Sequence, residues 1–525
     1  MTALGQVSLH LDLTEVVGGP ARRTVVLLLA GVLGLQAADI GAVGALAEPL
    51  EKAFHIGNTD LGLLVTVTTL VGAVVTLPFG KLSDRRSRTL QLQIVVSTWA
   101  VATVLSAVST SFAMLLLSRL ALGGVVAAAG PAIASLVGDL FPGDERARLY
   151  GYILTGELIG AGIGILLAGA LSDLFGWRAA IGVLAIPACF LAWALRRYLP
   201  EPARGGQAHL QVGDDHIVTE DEAQAGDPAA AAVSPEREGS AAGEGEAQFG
   251  LDEPSAVEQQ ALDAGAEPYP DTVVDGTEEM NLWDAVVYVL RVRTNVALIV
   301  ASGLGYFFFA GLETFAELYF RARFGVSQSL AALLFILVAA GALVGVVVSG
   351  RLADQLIHKG RTTARLGVAS VAYIASTVLF IPGALLTSLA LCIPVFLIAA
   401  VALGAVNAPA DAARLDVLPS HLWGRAEAVR TVFRQLLQGF APVVFGVVSA
   451  AFGTAGGGFA AGINTTSAHG SLTMAHGLEV AFILLSIPLA AAGAILWFSQ
   501  SRYLRDVVAA RRSDENRAAA AEVAR

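Results

Sequence analysis

Apolar residues in this chain fall into twelve long runs that are separated by short polar segments. A helix needs roughly 20 apolar residues to cross a bilayer core about 30 Å thick, and each run is close to that length. Glycine and proline interrupt several runs, which membrane helices tolerate because neighbouring helices satisfy the freed backbone groups. The pattern therefore predicts an all-α membrane protein. The predicted transmembrane helices lie near residues 24–47, 60–80, 90–108, 112–138, 150–172, 178–199, 295–320, 328–350, 366–387, 389–415, 426–452 and 477–499.

Two copies of a short motif indicate that the chain is an internal duplication. Gly-x-Leu-x-Asp occurs at residues 80–84 and again at 350–354, each time at the end of the second apolar run of its half. Asp139 and Asp416 form a second repeat, because each is followed three residues later by a proline. Duplicated halves around a central pathway are a known plan of secondary transporters. We therefore predict two pseudo-symmetric six-helix bundles.

A strongly acidic segment separates the two predicted bundles. Residues 24–199 form the N-terminal bundle, 200–282 the linker and 283–500 the C-terminal bundle. Residues 201–281 contain 20 acidic and two basic residues, a formal charge of −18, whereas the whole chain carries −11 and the remainder therefore +7. Low hydrophobicity and high charge favour disorder, so we expect a disordered cytoplasmic linker. It is either a solvated connection or a docking and regulatory segment.

Arginine and lysine concentrate in alternate loops, and this sets the expected orientation. Basic residues precede the first run and follow the second, fourth, sixth, eighth and twelfth, whereas the opposite loops hold fewer. The positive-inside rule then places the linker, the N-terminal segment 1–23 and the C-terminal tail 501–525 in the cytoplasm. The N-terminal segment lacks the pattern of a cleavable signal peptide. We expect a multi-pass protein of the cell (plasma or inner) membrane.

Two charges within the predicted N-terminal bundle are candidates for proton coupling. Asp39 lies in the first run and Arg119 in the fourth, at similar depth when each residue adds about 1.5 Å. Unpaired charges in a membrane are costly, so such residues pair or face water. We predict an Asp39–Arg119 ion pair that breaks when Asp39 takes up a proton. The alternative is a permanent structural pair.

A second group of residues is predicted to line an inner cavity and to contact substrate. Glu157 of the fifth run and Arg434 of the eleventh lie at comparable depth in equivalent helices of the two halves. We expect them to form an inner gate or to touch substrate; the alternative is that Glu157 bonds only a neighbouring helix. Tyr306 and Phe309 lie in the aromatic seventh run, with Glu313 near its outer end. The alternative for Glu313 is that it faces the outer vestibule or the lipid headgroups. Ordinary lipid and helix contact is the alternative for these aromatic residues.

The motif after the second run resembles the signature loop of the major facilitator superfamily, Gly-x-Leu-x-Asp-Arg-x-Gly-Arg. The matching positions are Gly80, Leu82, Asp84, Arg85 and Arg88. Ser87 stands where the family usually has glycine, and Arg119 with Gly123 matches the Arg-x-x-x-Gly of its fourth helix. The resemblance covers essentially the whole chain except the linker and the tails.

Two branches of that superfamily share further features with the chain. Drug/proton antiporters carry Gly-x-x-x-Gly-Pro in their fifth helix; Gly156 and Gly160 match it, and Ala161 replaces the proline. The first-helix acid, the loop 141–147 and the run 176–178 are similar to the spinster-like lipid transporters.

The resemblance implies a gate at the cytoplasmic mouth. There Asp84 is expected to cap the eleventh helix, and Arg88 to pair with Asp139. The other residues assigned to this gate are Gly80, Arg85 and Asp354. Because only the first motif retains Asp-Arg and the following arginine, we expect Asp84 and Arg88 to matter more to switching than Asp354. Plain positive-inside charge is the alternative explanation of the loop.

The sequence favours a secondary active transporter that works by alternating access, and not an enzyme. It has no phosphate-binding Walker motif, and its eight histidines lack metal-ligand spacing. We expect no cofactor, no metal and no nucleic-acid partner. The first hypothesis is proton-coupled export of a hydrophobic or amphipathic small molecule, drug-like or lipid-like, by a monomer surrounded by membrane lipids. The alternatives are uptake or exchange of a small organic anion held by Arg119 or Arg434, and a non-transporting scaffold or sensor acting through the linker.

Overall fold

Helices dominate the computed structural model, which describes residues 13–56, 58–203, 209–214, 216–217, 219, 254–274, 280–453 and 468–523. In these ranges, strand pairing is limited to one isolated bridge between Pro202 and Thr219. The α-helices are α1 (Leu13–Val17), α2 (Pro20–Ala45), α3 (Ala47–Phe54), α4 (Asn58–Arg85), α5 (Arg88–Ala107), α6 (Phe112–Leu140), α7 (Arg146–Phe175), α8 (Trp177–Val183), α9 (Ala185–Tyr198), α10 (Ala256–Asp263), α11 (Leu282–Val289), α12 (Arg293–Phe324), α13 (Gln328–His358), α14 (Ala364–Leu385), α15 (Leu389–Gly404), α16 (Asn407–Asp416), α17 (Trp423–Phe452) and α18 (Ala468–Val523).

These helices give twelve membrane crossings in two six-helix bundles, which confirms the predicted fold class. Spans one to six are α2, α4, α5, α6, α7 and the pair α8–α9. Spans seven to twelve are α12, α13, α14, the pair α15–α16, α17 and α18. Within the described residues, 11 crossings qualify by length and composition alone, and α4 supplies the remaining one. Pro409 lies in the first turn of α16, where its missing N–H breaks no helical hydrogen bond.

The last span extends far beyond its predicted apolar run. The sequence predicts a helix near 477–499 and a tail at 501–525, whereas α18 continues as one helix to Val523. Tyr503 and Val507 are fully buried against the bundle. These contacts extend the helix because its polar half has an apolar stripe of its own.

Several described parts of the linker pack against the bundles, although its composition predicts disorder; the disorder of the linker as a whole stays a prediction. Residues 209–214 lie along the N-terminal bundle, and 254–274 contain α10. The buried apolar side chains of the linker include Leu210, Ile217, Val257 and Ala261. They bury apolar surface in a segment whose average composition is polar. Residues 204–208, 215, 218, 220–253 and 275–279 of the predicted linker lie outside the described residues.

A stripe of glycines brings α7 into backbone contact with α2. Gly156, Gly160 and Gly164 recur every four residues on one face of α7, and a Cβ on any of them would lie 2.1 Å from a backbone oxygen of α2. Small residues allow membrane helices this close approach. The two helices therefore form one closely packed unit.

The two bundles meet at the end of the molecule that carries the linker. We call this end the linker face; it includes Gly80, Asp84, Gly350 and Asp354. There α4 packs against α17, and α13 packs against α7. A Cβ on Gly80 would lie 2.9 Å from a backbone oxygen of α17, and one on Gly350 2.3 Å from a backbone oxygen of α7. These glycines permit close contact between helices of opposite bundles.

Candidate functional site

Asp84 caps the start of α17 across the bundle interface, the contact that the resemblance implied. The first N–H groups of a helix have no partner within it, and a carboxylate is favoured there by the helix dipole. Asp84 accepts hydrogen bonds from Gly424 N–H at 2.9 Å and Arg425 N–H at 3.2 Å. Arg425 Nε also donates to Asp84 at 2.6 Å. The neighbouring Arg85 is exposed at the end of α4.

Asp354 makes the equivalent contact in the opposite direction. It accepts a hydrogen bond from Arg148 N–H at 2.7 Å, in the first turn of α7. It also lies 3.1 Å from Arg365 Nη2. The second motif therefore ties the C-terminal bundle to the N-terminal one, although it lacks the arginines of the first.

A buried arginine follows each motif and pairs with the repeated aspartate. Arg88 Nη1 donates to Asp139, as expected from the sequence. Arg365 Nη1 donates to Asp416 at 2.6 Å. Both arginine side chains are fully buried. The repeat of Asp139 at Asp416 was the signal that could have identified Arg365.

Glu201, the first acidic residue of the linker, joins the arginine pair of the N-terminal bundle. It accepts hydrogen bonds from Arg88 Nε at 2.8 Å, Ser87 Oγ at 2.7 Å and Thr89 N–H at 2.9 Å. Burial disfavours the carboxylate, but Arg88 and these donors outweigh burial and lower the pKa of Glu201 below its ordinary value. Sequence reasoning missed this role because Glu201 looked like one more solvated acid.

The structure brings Asp39 of α2 and Arg119 of α6 into one buried ion pair. Arg119 Nη1 lies 2.9 Å from both carboxylate oxygens of Asp39. The two side chains are 10% and 4% exposed. The predicted pairing is therefore present within the N-terminal bundle; its part in proton coupling stays a prediction.

The five predicted cavity residues come together between α7, α12 and α17. The Arg434 guanidinium lies over the Tyr306 ring, 4.5 Å from its centroid, and Tyr306 meets Phe309 edge-on at 6.3 Å. Glu157 interacts electrostatically with Arg434 and with Glu313. Arg434 Nε is buried without a hydrogen-bond partner among the described residues. The group combines aromatic surface with two carboxylates and one guanidinium.

A buried charge cluster beside this group of residues was not assigned to the site from the sequence. Arg430 bonds Glu427 at 3.0 Å and Asp411 at 2.8 Å, and Arg414 pairs with Glu427. Two acids and two arginines make the cluster neutral. The spacing of Glu427 and Arg430 by three residues inside an apolar span was the available signal, because buried charges in membranes need partners.

Two six-helix bundles with ionisable residues buried between them define the architecture of a secondary transporter. The model of the Major Facilitator Superfamily matches residues 28–442. The chain belongs to that family and is a multi-pass membrane protein.

Known proteins similar to this chain are also transporters. The putative uncharacterized transporter YgaY of Escherichia coli strain K12 is 27% identical over 180 residues, 34% of this chain and 45% of that protein. The match thus spans less than half of that relative's length. A bacterial homologue of the human lysosomal transporter Spinster, inward-facing and unoccupied, is similar with a TM-score of 0.53, 20% identity and coverage of 93% of this chain and 98% of that one. The human organic anion transporter MFSD10 (TETRAN) is similar with a TM-score of 0.59 and 16% identity, and the match covers 91% of this chain and 99% of that one.

Proposed function

We propose that this protein exports a hydrophobic or amphipathic small molecule, drug-like or lipid-like, in exchange for protons. The observation that supports the proposal most is the buried Asp39–Arg119 pair, 2.9 Å long. Protonation of Asp39 would remove one partner and leave Arg119 as an uncompensated buried charge. Breaking a buried pair in this way costs on the order of 3–5 kcal/mol, enough to shift an equilibrium between two arrangements of the bundles.

The cavity group favours substrates with large apolar or aromatic surfaces. Tyr306 and Phe309 offer ring faces and edges within the membrane. Glu157 and Glu313 add two carboxyl groups to the single guanidinium of Arg434, so the group can accept hydrogen bonds from a neutral or cationic solute. The concentration of basic residues at the linker face supports a cytoplasmic location for this face.

The test is proton-driven transport in proteoliposomes by the wild type and Asp39→Asn. A pH gradient is imposed, and the flux of each member of a panel of drugs, lipids and organic anions is measured together with the change in lumenal pH. Asp39→Asn should lower pH-driven flux at least tenfold while exchange without a gradient continues. Asp173→Asn, which alters an exposed carboxylate at the far end of α7, is the matched control and should behave as wild type. Retained pH-driven flux in Asp39→Asn would refute proton coupling through this residue.

The second candidate is uptake or exchange of a small organic anion. It rests on Arg434, because Nε of this residue is buried without a hydrogen-bond partner in the described part of the chain. Arg119 is the weaker candidate for binding the anion, because it is already paired with Asp39. In the same panel of compounds, this alternative predicts that only organic anions are transported. It also predicts that Arg434→Gln abolishes the flux of those anions.

A further inference from the structure

The two ends of the linker attach to different bundles. On the N-terminal bundle, Leu210 N–H donates to Leu140 O at 2.9 Å, and Arg22 Nε donates to Leu210 O at 2.9 Å. On the C-terminal bundle, Val274 N–H donates to Ser513 Oγ of α18 at 3.0 Å. Each attachment follows its own bundle when the bundles move.

Helix α10 lies between these attachments and docks on the C-terminal bundle. It packs against α13 and α18, with Val257 1% exposed and Ala261 fully buried. Gln260 Nε2 donates to Ile357 O at the end of α13, at 3.0 Å. A capping box formed by Ser255 and Glu258 closes its N-terminus. The short helix is therefore a defined, anchored element.

The N-terminal end of α10 also contacts the N-terminal bundle. A Cβ on Gly143, in the loop between α6 and α7, would lie 2.8 Å from the Cβ of Ser255. Glu258 lies 3.6 Å from Arg511 of α18 and interacts electrostatically with Arg146 of α7. One carboxylate of the linker is thus placed between an arginine of each bundle.

We propose that α10 is a latch that holds the linker face closed and sets how often it opens. The proposal rests on the alternating access proposed above, but not on any substrate. In alternating access the bundles rock against each other, so opening of the linker face must separate α7 from α13. Since α10 is anchored on α13 and α18, the packing of Ser255 against Gly143 must break in every cycle, and Glu258 must move away from Arg146. The acidic linker is then a regulator of the gate as well as a connection.

The first experiment measures the separation of the bundles by pulsed dipolar spectroscopy in lipid nanodiscs. Spin labels replace two exposed residues of the linker face, Arg196 at the end of α9 and Lys359 after α13, in a Cys189→Ser background. Val257→Asp, which undocks α10, should raise the ratio of open to closed molecules about tenfold, equivalent to ~1.4 kcal/mol. Leu262→Asp is the matched control, because Leu262 is 42% exposed on the same helix.

Asp84→Asn serves as the reference that opens the gate directly. The latch is supported if Asp84→Asn and Val257→Asp both lengthen the distance while Leu262→Asp does not. It is overturned if only Asp84→Asn lengthens the distance, or if both α10 variants act equally. If none of the variants changes the distance, alternating access itself fails at this face and the latch fails with it.

A crosslink tests the same contact without undocking the helix. Gly143→Cys with Ser255→Cys places two thiols at the latch, and oxidation should trap the short distance and abolish the open population. Reduction of the disulfide should raise the open population again by at least tenfold. An open population that persists in fully crosslinked protein would overturn the proposal, because the latch could then remain shut while the gate opens.

Discussion

Replacing Asp84 by asparagine should open the linker face more than the same change at Asp354, although each residue caps a helix of the opposite bundle. Asp84 accepts from two backbone N–H groups, at 2.9 and 3.2 Å, and Asp354 from one, at 2.7 Å. An asparagine at either position keeps one carbonyl oxygen that can accept from a backbone N–H. The difference arises from the arginine that each aspartate neutralises.

Arg425 depends on Asp84 for its countercharge. Its side chain is 6% exposed, and its other acceptors among the described residues are the carbonyl oxygens of Met280 and His421. Removing one partner of a buried ion pair costs ~3–5 kcal/mol, and the two carbonyls offset part of this. We expect Asp84→Asn to disfavour the closed state by ~2–3 kcal/mol, a change of about 30- to 150-fold in the ratio of open to closed molecules.

Arg365 keeps a second carboxylate when Asp354 is neutralised. Asp416 remains 2.6 Å from Arg365 Nη1, so no buried charge is left alone. The loss is the charge on the cap of α7, ~1–1.5 kcal/mol for a hydrogen bond to an ionised acceptor that becomes neutral. The corresponding change is about 5- to 12-fold.

The assay is the label pair at positions 196 and 359, recorded for wild type, both single variants and the double variant. Asp173→Asn serves as a control for the general effect of removing a carboxylate. An opening by Asp354→Asn that equals or exceeds that of Asp84→Asn would refute the reasoning. Equal effects would mean that the caps, and not the paired arginines, set the energy of the gate.

Two further predictions concern packing and pH. Gly160→Ala should lower the apparent Tm by about 5 °C or more, because its Cβ would lie 2.1 Å from Gly34 O. Gly162→Ala should change the Tm little, because no atom of the described residues lies within 4 Å of the new Cβ. Equal thermal shifts in the two variants would contradict the close α2–α7 contact. Glu201→Gln should destabilise by ~1 kcal/mol at pH 7. Since the folded pKa of Glu201 is lowered, the wild-type advantage is complete above the unfolded value of about 4.3 and disappears as pH falls through the folded value. Thermal unfolding of both proteins across pH 3–7 checks this; a difference that grows towards low pH would show the opposite sign of linkage.

The membrane itself explains why the fold could be predicted from the sequence. A bilayer admits helices of about 20 apolar residues and little else, so the twelve runs defined the crossings before any packing was known. Their ends were harder to place, because helices continue into the polar layer wherever side chains such as Tyr503 find a partner. The linker shows the same difficulty, since average composition cannot reveal that Val257 and Leu210 each have a surface to pack on.

The candidate site was predictable where charge occurs in an apolar run. Asp39 and Arg119 each lacked a nearby partner in sequence, and each found the other. Arg365 was missed because it follows Asp354 by 11 residues, whereas Arg88 follows Asp84 by four. Because of this longer spacing, the repeat is not evident in the sequence. In the structure, Arg365 nevertheless pairs with Asp416 as Arg88 pairs with Asp139.

The packing of α2 on α7 connects the predicted proton site with the linker face. A Cβ on Gly164 of α7 would lie 2.1 Å from the backbone oxygen of Ala38, the residue before Asp39. At this separation α2 cannot shift towards α7 without moving it, because packed backbone is nearly incompressible. The other end of α7 begins beside Arg148, whose N–H is held by Asp354 of the opposite bundle. A rearrangement that begins when Asp39 loses its charge therefore has a rigid element through which it reaches the gate. Asp39→Asn should accordingly change the distance between the labels at positions 196 and 359, and Gly160→Ala, which forces the two helices apart, should weaken that change.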